Sequence, residues 1–380
     1  MRVLMTCGGT GGHINPALAI ANTIKINNPD AVIAFVGTRH GKETELVPRA
    51  GYPLYYIKIQ GIRRSLSPSN LLTAWYILTS PHEAKKLIRS FKPDIVIGTG
   101  GYACWPTLKA ASELGIPTMV HESNAMPGLA VKVLLKKVDR ILINFEETRD
   151  LLRLTEAEKA KKVVRVGNPT RQGFGAGISP AEAKRRLNIE NYSCFVMSFG
   201  GSLGAEVINE CALSLMEEIA RRHPDIFYMH AAGKRYYDKM KEVLKKKGLD
   251  RVPNILLCDY IHDMPQRMAT ADIVISRAGA MTISELAAAG CAAILIPSPN
   301  VVDNHQYKNA RVLADAGAAI LLEESELKGT ARLTDTVLRL VDDTPARKRL
   351  GQNIRKFADK DANRLIYEEI QKLLAEKAKK

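Results

Sequence analysis

A chain of 380 residues is too long for one ordinary α/β domain and long enough for two, each burying its own core. With 46% hydrophobic and 25% charged residues it has the composition of a folded globular protein, which excludes a disordered or fibrous one. A formal charge of +15 favours an anionic partner, whether nucleic acid, an acidic leaflet or a phosphorylated ligand, although a basic surface kept for solubility accounts for it as well.

The chain opens with Met1-Arg2-Val3-Leu4-Met5-Thr6-Cys7 and runs straight into glycines. That leaves no room for a charged n-region, an apolar h-region and a cleavage site, so a first strand is predicted and not a signal peptide. Short β-rich runs then alternate with amphipathic helical stretches, the pattern of parallel sheets covered by helices on both faces, so the fold class is α/β. Strands are predicted at 3–6, 32–36, 55–59, 95–98, 118–121 and 140–144, and a second set at 195–198, 226–230, 255–258, 273–276, 293–296 and 319–322 repeats the arrangement. Between the sets, Val166-Gly167-Asn168-Pro169-Thr170-Arg171, followed by Gly173, Gly175, Gly177 and Pro180, has linker composition, which predicts domains at 1–166 and 167–354. A helix over about 355–380 is too long and charged for the core of the second domain, and either packs back on the first or frays.

No apolar run is long enough to cross a bilayer; the best, 286–299, is interrupted by Gly290 and ends in Pro297 and Pro299. The cysteines, Cys7, Cys104, Cys194, Cys211, Cys258 and Cys291, form no C-x-x-C pair, which argues against a disulfide framework or a thiolate zinc site and fits a reducing cytosol.

The two halves open alike, one strand running into Cys7-Gly8-Gly9-Thr10-Gly11-Gly12 and another into Phe199-Gly200-Gly201-Ser202-Leu203-Gly204. A glycine turn feeding a helix lets backbone approach a ligand and aims free N–H groups, backed by the helix dipole, at an anion. Such turns also close βα units for geometric reasons alone, but two in equivalent places of a doubled fold point to a shared cleft. Neither is a dinucleotide fingerprint, since Ile14 stands where a third glycine should fall and the second strand ends in Val36-Gly37-Thr38-Arg39 without an acid. No glycine loop ends in Lys-Ser or Lys-Thr, so a Walker A loop is absent too. A third strand-to-helix turn, Ser276-Arg277-Ala278-Gly279-Ala280-Met281-Thr282-Ile283-Ser284-Glu285, carries a carboxylate one turn in. Glu285 there accepts hydrogen bonds from vicinal hydroxyls such as those of a ribose, or serves as an ordinary dipole-facing or solvent-facing acid.

The stretch from Ile62 to Lys92 sets Leu66, Leu71, Leu72, Trp75, Tyr76, Ile77 and Leu78 beside Arg63, Arg64, Lys85, Lys86, Arg89 and Lys92, with Glu83 as its acid. It reads either as an amphipathic helix on the sheet or as an interfacial helix on anionic lipid. Without a helix-turn-helix, finger or RNA-binding signature, nucleic acid is a poor partner.

Taken together, Gly8-Gly9-Thr10-Gly11-Gly12-His13, Gly100-Gly101-Tyr102, His121-Glu122-Ser123-Asn124, Gly167-Asn168-Pro169-Thr170-Arg171, Gly200-Gly201-Ser202-Leu203-Gly204, Arg277-Ala278-Gly279-Ala280-Met281-Thr282 and His305-Gln306 resemble the MurG family, within glycosyltransferase family 28, and the likeness spans nearly the whole chain. The resemblance implies a GT-B fold, two Rossmann-like doubly wound domains facing a cleft. It implies inverting transfer of N-acetylglucosamine from UDP-N-acetylglucosamine to the C4 hydroxyl of the muramyl residue of lipid I, giving lipid II for peptidoglycan. By the same resemblance Thr10, Gly11, Gly12 and His13 face the acceptor and the donor's sugar-phosphate, Asn124 touches the transferred sugar, and Tyr102 and Glu122 lie on the acceptor side. Arg171 and Ser202 fall near the nucleotide and its phosphates, Ile261 at the uracil, Ala280, Met281 and Thr282 at the diphosphate, Glu285 on the ribose and Gln306 on the sugar. The sequence departs from the family at His305, where some relatives carry a second Gln, and at Ala103-Cys104-Trp105, where smaller residues are common.

For the chemistry, a neutral imidazole suits removal of the acceptor proton, which makes His13 the general-base candidate, with a structural or phosphate-contacting role as the alternative. Asp359-Lys360-Asp361 is the one Asp-x-Asp and reads as a solvated helix face, and Ala125 stands where a zinc-protease motif starting at His121-Glu122 would need its second His. Neither an obligatory protein-bound metal nor any other cofactor is expected. The lipid-linked acceptor implied by the resemblance tips the Ile62–Lys92 stretch towards an anionic membrane surface and places the protein peripherally on the cytoplasmic face of the cell membrane. A lipid glycosyltransferase with another acceptor and a sugar-nucleotide epimerase of the same fold are the rival readings, disfavoured by the acceptor-side segments and by the lack of further cleft acids.

Overall fold

The computed structural model describes residues 1–61, 69–170, 180–201, 203–301, 304–359 and 361–379. The apolar runs form β1 (Arg2–Thr6), β2 (Val32–Gly37), β3 (Leu54–Tyr56), β4 (Ile95–Gly98), β5 (Thr118–Glu122), β6 (Arg140–Ile143) and β7 (Val163–Arg165), which pair in parallel in the order β3-β2-β1-β4-β5-β6-β7. A second parallel sheet takes β8 (Cys194–Phe199), β9 (Ile226–Ala231), β10 (Ile255–Cys258), β11 (Ile273–Ser276), β12 (Ala292–Leu295) and β13 (Ile320–Leu321) in the order β10-β9-β8-β11-β12-β13. Helices on both faces explain why the central strands read as continuous apolar runs: β4 and β8 are buried along their whole length.

Alternation along β1 divides the first sheet's core in two. Val3 and Met5 pack with α1 (Gly11–Asn27) through Ile14, Ile20 and Ile24, whereas Leu4 joins Ile88 of α3 (Ser69–Phe91) and Leu108 of α4 (Cys104–Glu113). Two further helices of this region, α2 (Glu43–Arg49) and α5 (Leu129–Leu134), lie after β2 and β5. The C-terminal helix Ala362–Ala378 places Ile366, Ile370 and Leu373 in the α1 cluster, and Arg140 and Asp139 hold it through Glu376 at 2.6 Å and Lys377 at 2.8 Å. The chain accordingly divides into one unit of Met1–Arg171 with Asp359–Lys380 and a second of Gln172–Ala358.

Three local expectations differ. The predicted strand 55–59 is shorter and starts earlier, because β3 is an edge strand that leaves its ladder at Tyr56; Ile57 makes a last bond to Gly37 O at 3.0 Å and is then buried without pairing. The three-residue β7 follows a Lys-rich helix and is too short to show a period. Asp359 lies ahead of the C-terminal helix and not on a solvated face of it, pairing with Arg165 at 2.9 Å.

Each sheet has one point where strand order reverses, between β1 and β4 in the first and between β8 and β11 in the second. Ligands of open α/β sheets bind beyond the carboxyl ends of the strands at such points. The loops leaving those four strands carry Gly8–Gly12, Gly100–Tyr102, Gly200–Gly204 and Arg277–Gly279, which is where the glycine motifs of the sequence fall.

Candidate active site

At the first switch point the chain turns at Gly9, whose φ of +87° suits glycine, and enters α1 through an extended Thr10. No side chain caps the helix and its first turn holds no acid, so its leading N–H groups are available to an anion. The turn is anchored by Glu43, fully buried at the start of α2, which accepts from Gly9 N at 2.9 Å, Thr38 N at 2.9 Å and Thr38 Oγ1 at 2.8 Å. Gly37 and Gly41 make room for this side chain, since a Cβ there would come within 2.6 Å of its Cγ and 1.9 Å of its Oε2 respectively.

His13, in the first turn of α1, directs Nδ1 at Gly8 O, 3.2 Å away. A carbonyl oxygen only accepts, so Nδ1 carries the proton in the neutral ring and Nε2 is the basic nitrogen. The ring lies against Gly100, where a Cβ would stand 2.6 Å from Cδ2 and 2.9 Å from Nε2, and Thr99 Oγ1 donates to His13 O at 2.6 Å. Gly101 touches the same loop; a Cβ there would come within 2.4 Å of Gly8 O. Tyr102 follows, exposed, with its ring over Gly61.

After β5, Glu122 turns its carboxylate back on its own loop, accepting from Asn124 N at 3.0 Å, Asn124 Nδ2 at 3.1 Å and Gly128 N at 2.7 Å. Its part in the structure is to shape the turn that presents the half-buried Asn124. Buried His121 donates from Nε2 to Gly167 O at 2.9 Å, and burial pushes its pKa down to about 4 against the opposing pull of that carbonyl. It is a neutral tie between β5 and the linker, a role that residue type alone did not reveal.

In the second unit the loop after β8 turns at Gly201 and Gly204, with φ of +85° and +78°. A Cβ on Gly204 would sit 2.2 Å from Ala232 O, and that carbonyl is fixed from behind by Asn209 Nδ2 at 3.1 Å. Asn209 Oδ1 accepts from His230 Nε2 at 3.0 Å, which leaves His230 Nδ1 to accept from Ser198 Oγ at 2.7 Å and Ser198 to accept from Tyr228 Oη at 2.7 Å. This buried chain was invisible as a pattern, its members being scattered over β8, β9 and helix Glu206–Arg222.

Beyond β11, helix Ala280–Ala289 starts at Gly279 without a side-chain cap or an acid in its first turn, again leaving N–H groups to an anion. Ala280 and Met281 are buried, Thr282 is half-buried, and Glu285 is buried farther along. Arg277 braces this turn through Ile296 O at 3.1 Å and an ion pair with Glu324, and Asn309 Nδ2 donates to Ala278 O at 3.3 Å. Gln306 Oε1 accepts from Ser298 N at 2.9 Å, so what it can offer a ligand is its amide N–H2. His305 beside it is half-buried. Ile261, buried in the core after β10, can contribute only backbone. Arg171 and Ser202 lie outside the described residues. Thr10, Gly11, Gly12, His13 and Tyr102 thus follow β1 and β4 at the first switch point, with Glu122 and Asn124 at the end of the neighbouring β5; Ala280, Met281, Thr282 and Glu285 follow β11 at the second, with Gln306 beyond the neighbouring β12 and Ile261 beyond the edge strand β10.

The glycosyltransferase family 28 N-terminal domain model matches residues 3–143, and the family's C-terminal domain model matches residues 195–366. The chain is 41% identical, over all of both chains, to the UDP-N-acetylglucosamine--N-acetylmuramyl-(pentapeptide) pyrophosphoryl-undecaprenol N-acetylglucosamine transferase of Acetivibrio thermocellus. It is 40% identical to transferase 2 of the same name from Bacillus thuringiensis, over 98% of this chain and the whole of the relative. The chain belongs to glycosyltransferase family 28. Among solved structures, that of MurG from Acinetobacter baumannii aligns with a TM-score of 0.70 at 27% identity, over 98% of this chain and 99% of that one.

The outward face of α3 mixes apolar and basic side chains. Ala84, Ile88 and Phe91 bury one face of α3, while Leu72, Trp75 and Leu78 are exposed and Lys86, Arg89 and Lys92 stand out beyond them. Lys85 is engaged elsewhere, sharing Glu113 with Lys109 at 2.8 and 2.7 Å; hydrogen bonds from Lys109 and then Lys85 pull Glu113 down to about 2. Trp105 lines a cavity of about 320 Å³ with Ile77, Leu78 and Pro81, which gives that departure from the family pattern a place in the structure. Arg63, Arg64 and Leu66 lie outside the described residues. Among the described residues no helix is long and apolar enough to cross a membrane, and no group of three or more His, Cys, Asp or Glu is placed to hold a metal ion.

Proposed function

We propose that this enzyme transfers N-acetylglucosamine from UDP-N-acetylglucosamine to the C4 hydroxyl of the muramyl residue of undecaprenyl-pyrophosphoryl-N-acetylmuramyl-pentapeptide, giving lipid II and UDP with inversion at the anomeric carbon. The observation that carries the reading is the 41% identity over the full length of both chains, because it takes in acceptor-side and donor-side segments alike. The acceptor oxygen attacks C1 as the bond from C1 to the UDP oxygen breaks. His13 Nε2 takes the hydroxyl proton, and UDP leaves with the electron pair.

Charge on the departing diphosphate is met by the uncapped helix starts at Thr10 and Gly279 and by Arg171 and Ser202. Glu285 accepts from the ribose hydroxyls, the Ile261 backbone reads the uracil, and the Gln306 amide and Asn124 hold the sugar. Tyr102 stands on the acceptor side. No step calls for a protein-bound metal. The exposed Leu72, Trp75 and Leu78 with Lys86, Arg89 and Lys92 rest on anionic lipid at the cytoplasmic face of the cell membrane, where the acceptor is held.

The test is UDP release from UDP-N-acetylglucosamine with and without a short-chain lipid-linked muramyl-pentapeptide, with the product's anomeric configuration read by NMR. Acceptor-dependent release and a β-linked disaccharide are expected, and His13→Ala should lower kcat by about 10²–10⁴-fold while donor binding by calorimetry is unchanged. Release without acceptor, a retained configuration or an epimerised free donor would each overturn the assignment.

A further inference from the structure

The glycine loop of the first unit holds a connection that individual bonds do not reveal. Gly8 O, which accepts from His13 Nδ1 at 3.2 Å, and Gly9 N, which donates to Glu43 Oε2 at 2.9 Å, belong to one peptide group. A carboxylate, a planar peptide and an imidazole therefore stand in one line of hydrogen bonds, and hydrogen bonds in series polarise one another. We propose that Glu43 is a positioning residue for His13, fixing its Nδ1–H tautomer and the basicity of Nε2 through the Gly8–Gly9 peptide. The inference rests on the reading of His13 as the base that receives the acceptor proton.

The chemistry of the site agrees. All three partners of Glu43 are donors, so the group acts as an acceptor throughout, the role of a carboxylate. It is fully buried, where the surrounding low dielectric strengthens its hold on the peptide dipole. The thiol that feels it is that of Cys7, raised by burial first and then by Glu43 and Cys104, and Glu122 acts on Cys104 in turn; Lys42 precedes Glu43 in the chain. Burial pushes both thiols up, Cys104 to about 12, so they stay neutral where an imidazole titrates. A carboxylate that orients a catalytic imidazole normally touches it directly. Here a glycine peptide stands between the two, and Gly37 and Gly41 leave the space for Glu43 to reach it.

The experiment is ¹⁵N NMR of histidine-labelled full-length protein, with the His13 signals assigned by their loss in His13→Asn, together with pH–rate profiles of Glu43→Gln. The wild type should show the Nδ1–H tautomer at His13; the Nε2–H tautomer would overturn the proposal whether or not any Glu43 variant folds. In Glu43→Gln the tautomers should mix, the ascending limb of the kcat profile should move to lower pH as the negative charge is lost, and kcat should fall about 10–100-fold with KM for the donor unchanged. In the His13→Asn background the same substitution should change the residual rate by less than about twofold. An equal loss in both backgrounds, or unmoved His13 signals, would reduce Glu43 to a structural role. Full activity of His13→Asn would instead remove the base assignment, while the NMR still reports on the Glu43 coupling.

Discussion

His230 is fully buried on β9 and stands in the middle of the chain that runs from Tyr228 through Ser198 to Asn209. Burial pushes its pKa down to about 3, as it pushes that of His121 down to about 4. In the unfolded chain both titrate near pH 6.5, so between that pH and the folded values the unfolded state binds more protons. Their contribution to stability is complete above about pH 6.5 and is lost as the pH falls towards 4 and 3, by up to about 1.4 kcal/mol per histidine per pH unit. The urea midpoint followed by circular dichroism should thus drop between pH 7 and pH 5, and less steeply in His230→Gln; equal slopes for the two proteins would contradict this account. At this scale the residues that form the glycine turns were easier to read in the sequence than those that anchor the turns from behind. Glycines and His13 announce themselves by type and spacing, whereas Glu43 reads as an ordinary acid in a first helical turn, and Asn209 and His230 read as unremarkable polar positions of a helix and a strand.

The glycine turns are elements whose demands differ residue by residue. Gly201 has a φ of +85° with open space where a Cβ would go, whereas Gly204, at +78°, would drive one to 2.2 Å from Ala232 O and 2.8 Å from the Tyr236 ring. Gly201→Ala should cost about 1–2 kcal/mol, the price of a left-handed conformation, and Gly204→Ala roughly 3 kcal/mol or more, since backbone must move as well. Thermal melts of the two variants compare them directly, and similar losses would mean that Ala232 yields more readily than its bond from Asn209 suggests. Central strands were legible because burial on both faces writes them as unbroken apolar runs. The bounds of the edge strand β3 and the existence of the short β7 were not, since each owes its pairing to a neighbour and not to a pattern of its own.

At the scale of the whole molecule, the first unit closes only with residues 359–380, although the second unit intervenes in sequence. Both tryptophans, Trp75 and Trp105, belong to the first unit, so tryptophan fluorescence reports on it alone. Truncation after Ala358 uncovers the α1 cluster where Ile366, Ile370 and Leu373 pack and strands Arg140 without Glu369 and Glu376. Its fluorescence-detected unfolding should shift to markedly lower denaturant, whereas a fragment of residues 172–358 should keep the cooperative melt of the second unit. An unchanged tryptophan transition in the truncated protein would show that the helix is dispensable.

The same arrangement sets an order of events during synthesis. On the ribosome, residues 172–358 emerge before the helix that completes the first unit, a delay on the order of 10–40 s at ordinary elongation rates. Throughout that interval the nascent first unit lacks the Ile366, Ile370 and Leu373 side chains that cover α1, so the second unit can mature ahead of the first, and the earlier-made half of the protein is the one left with exposed apolar surface while it waits.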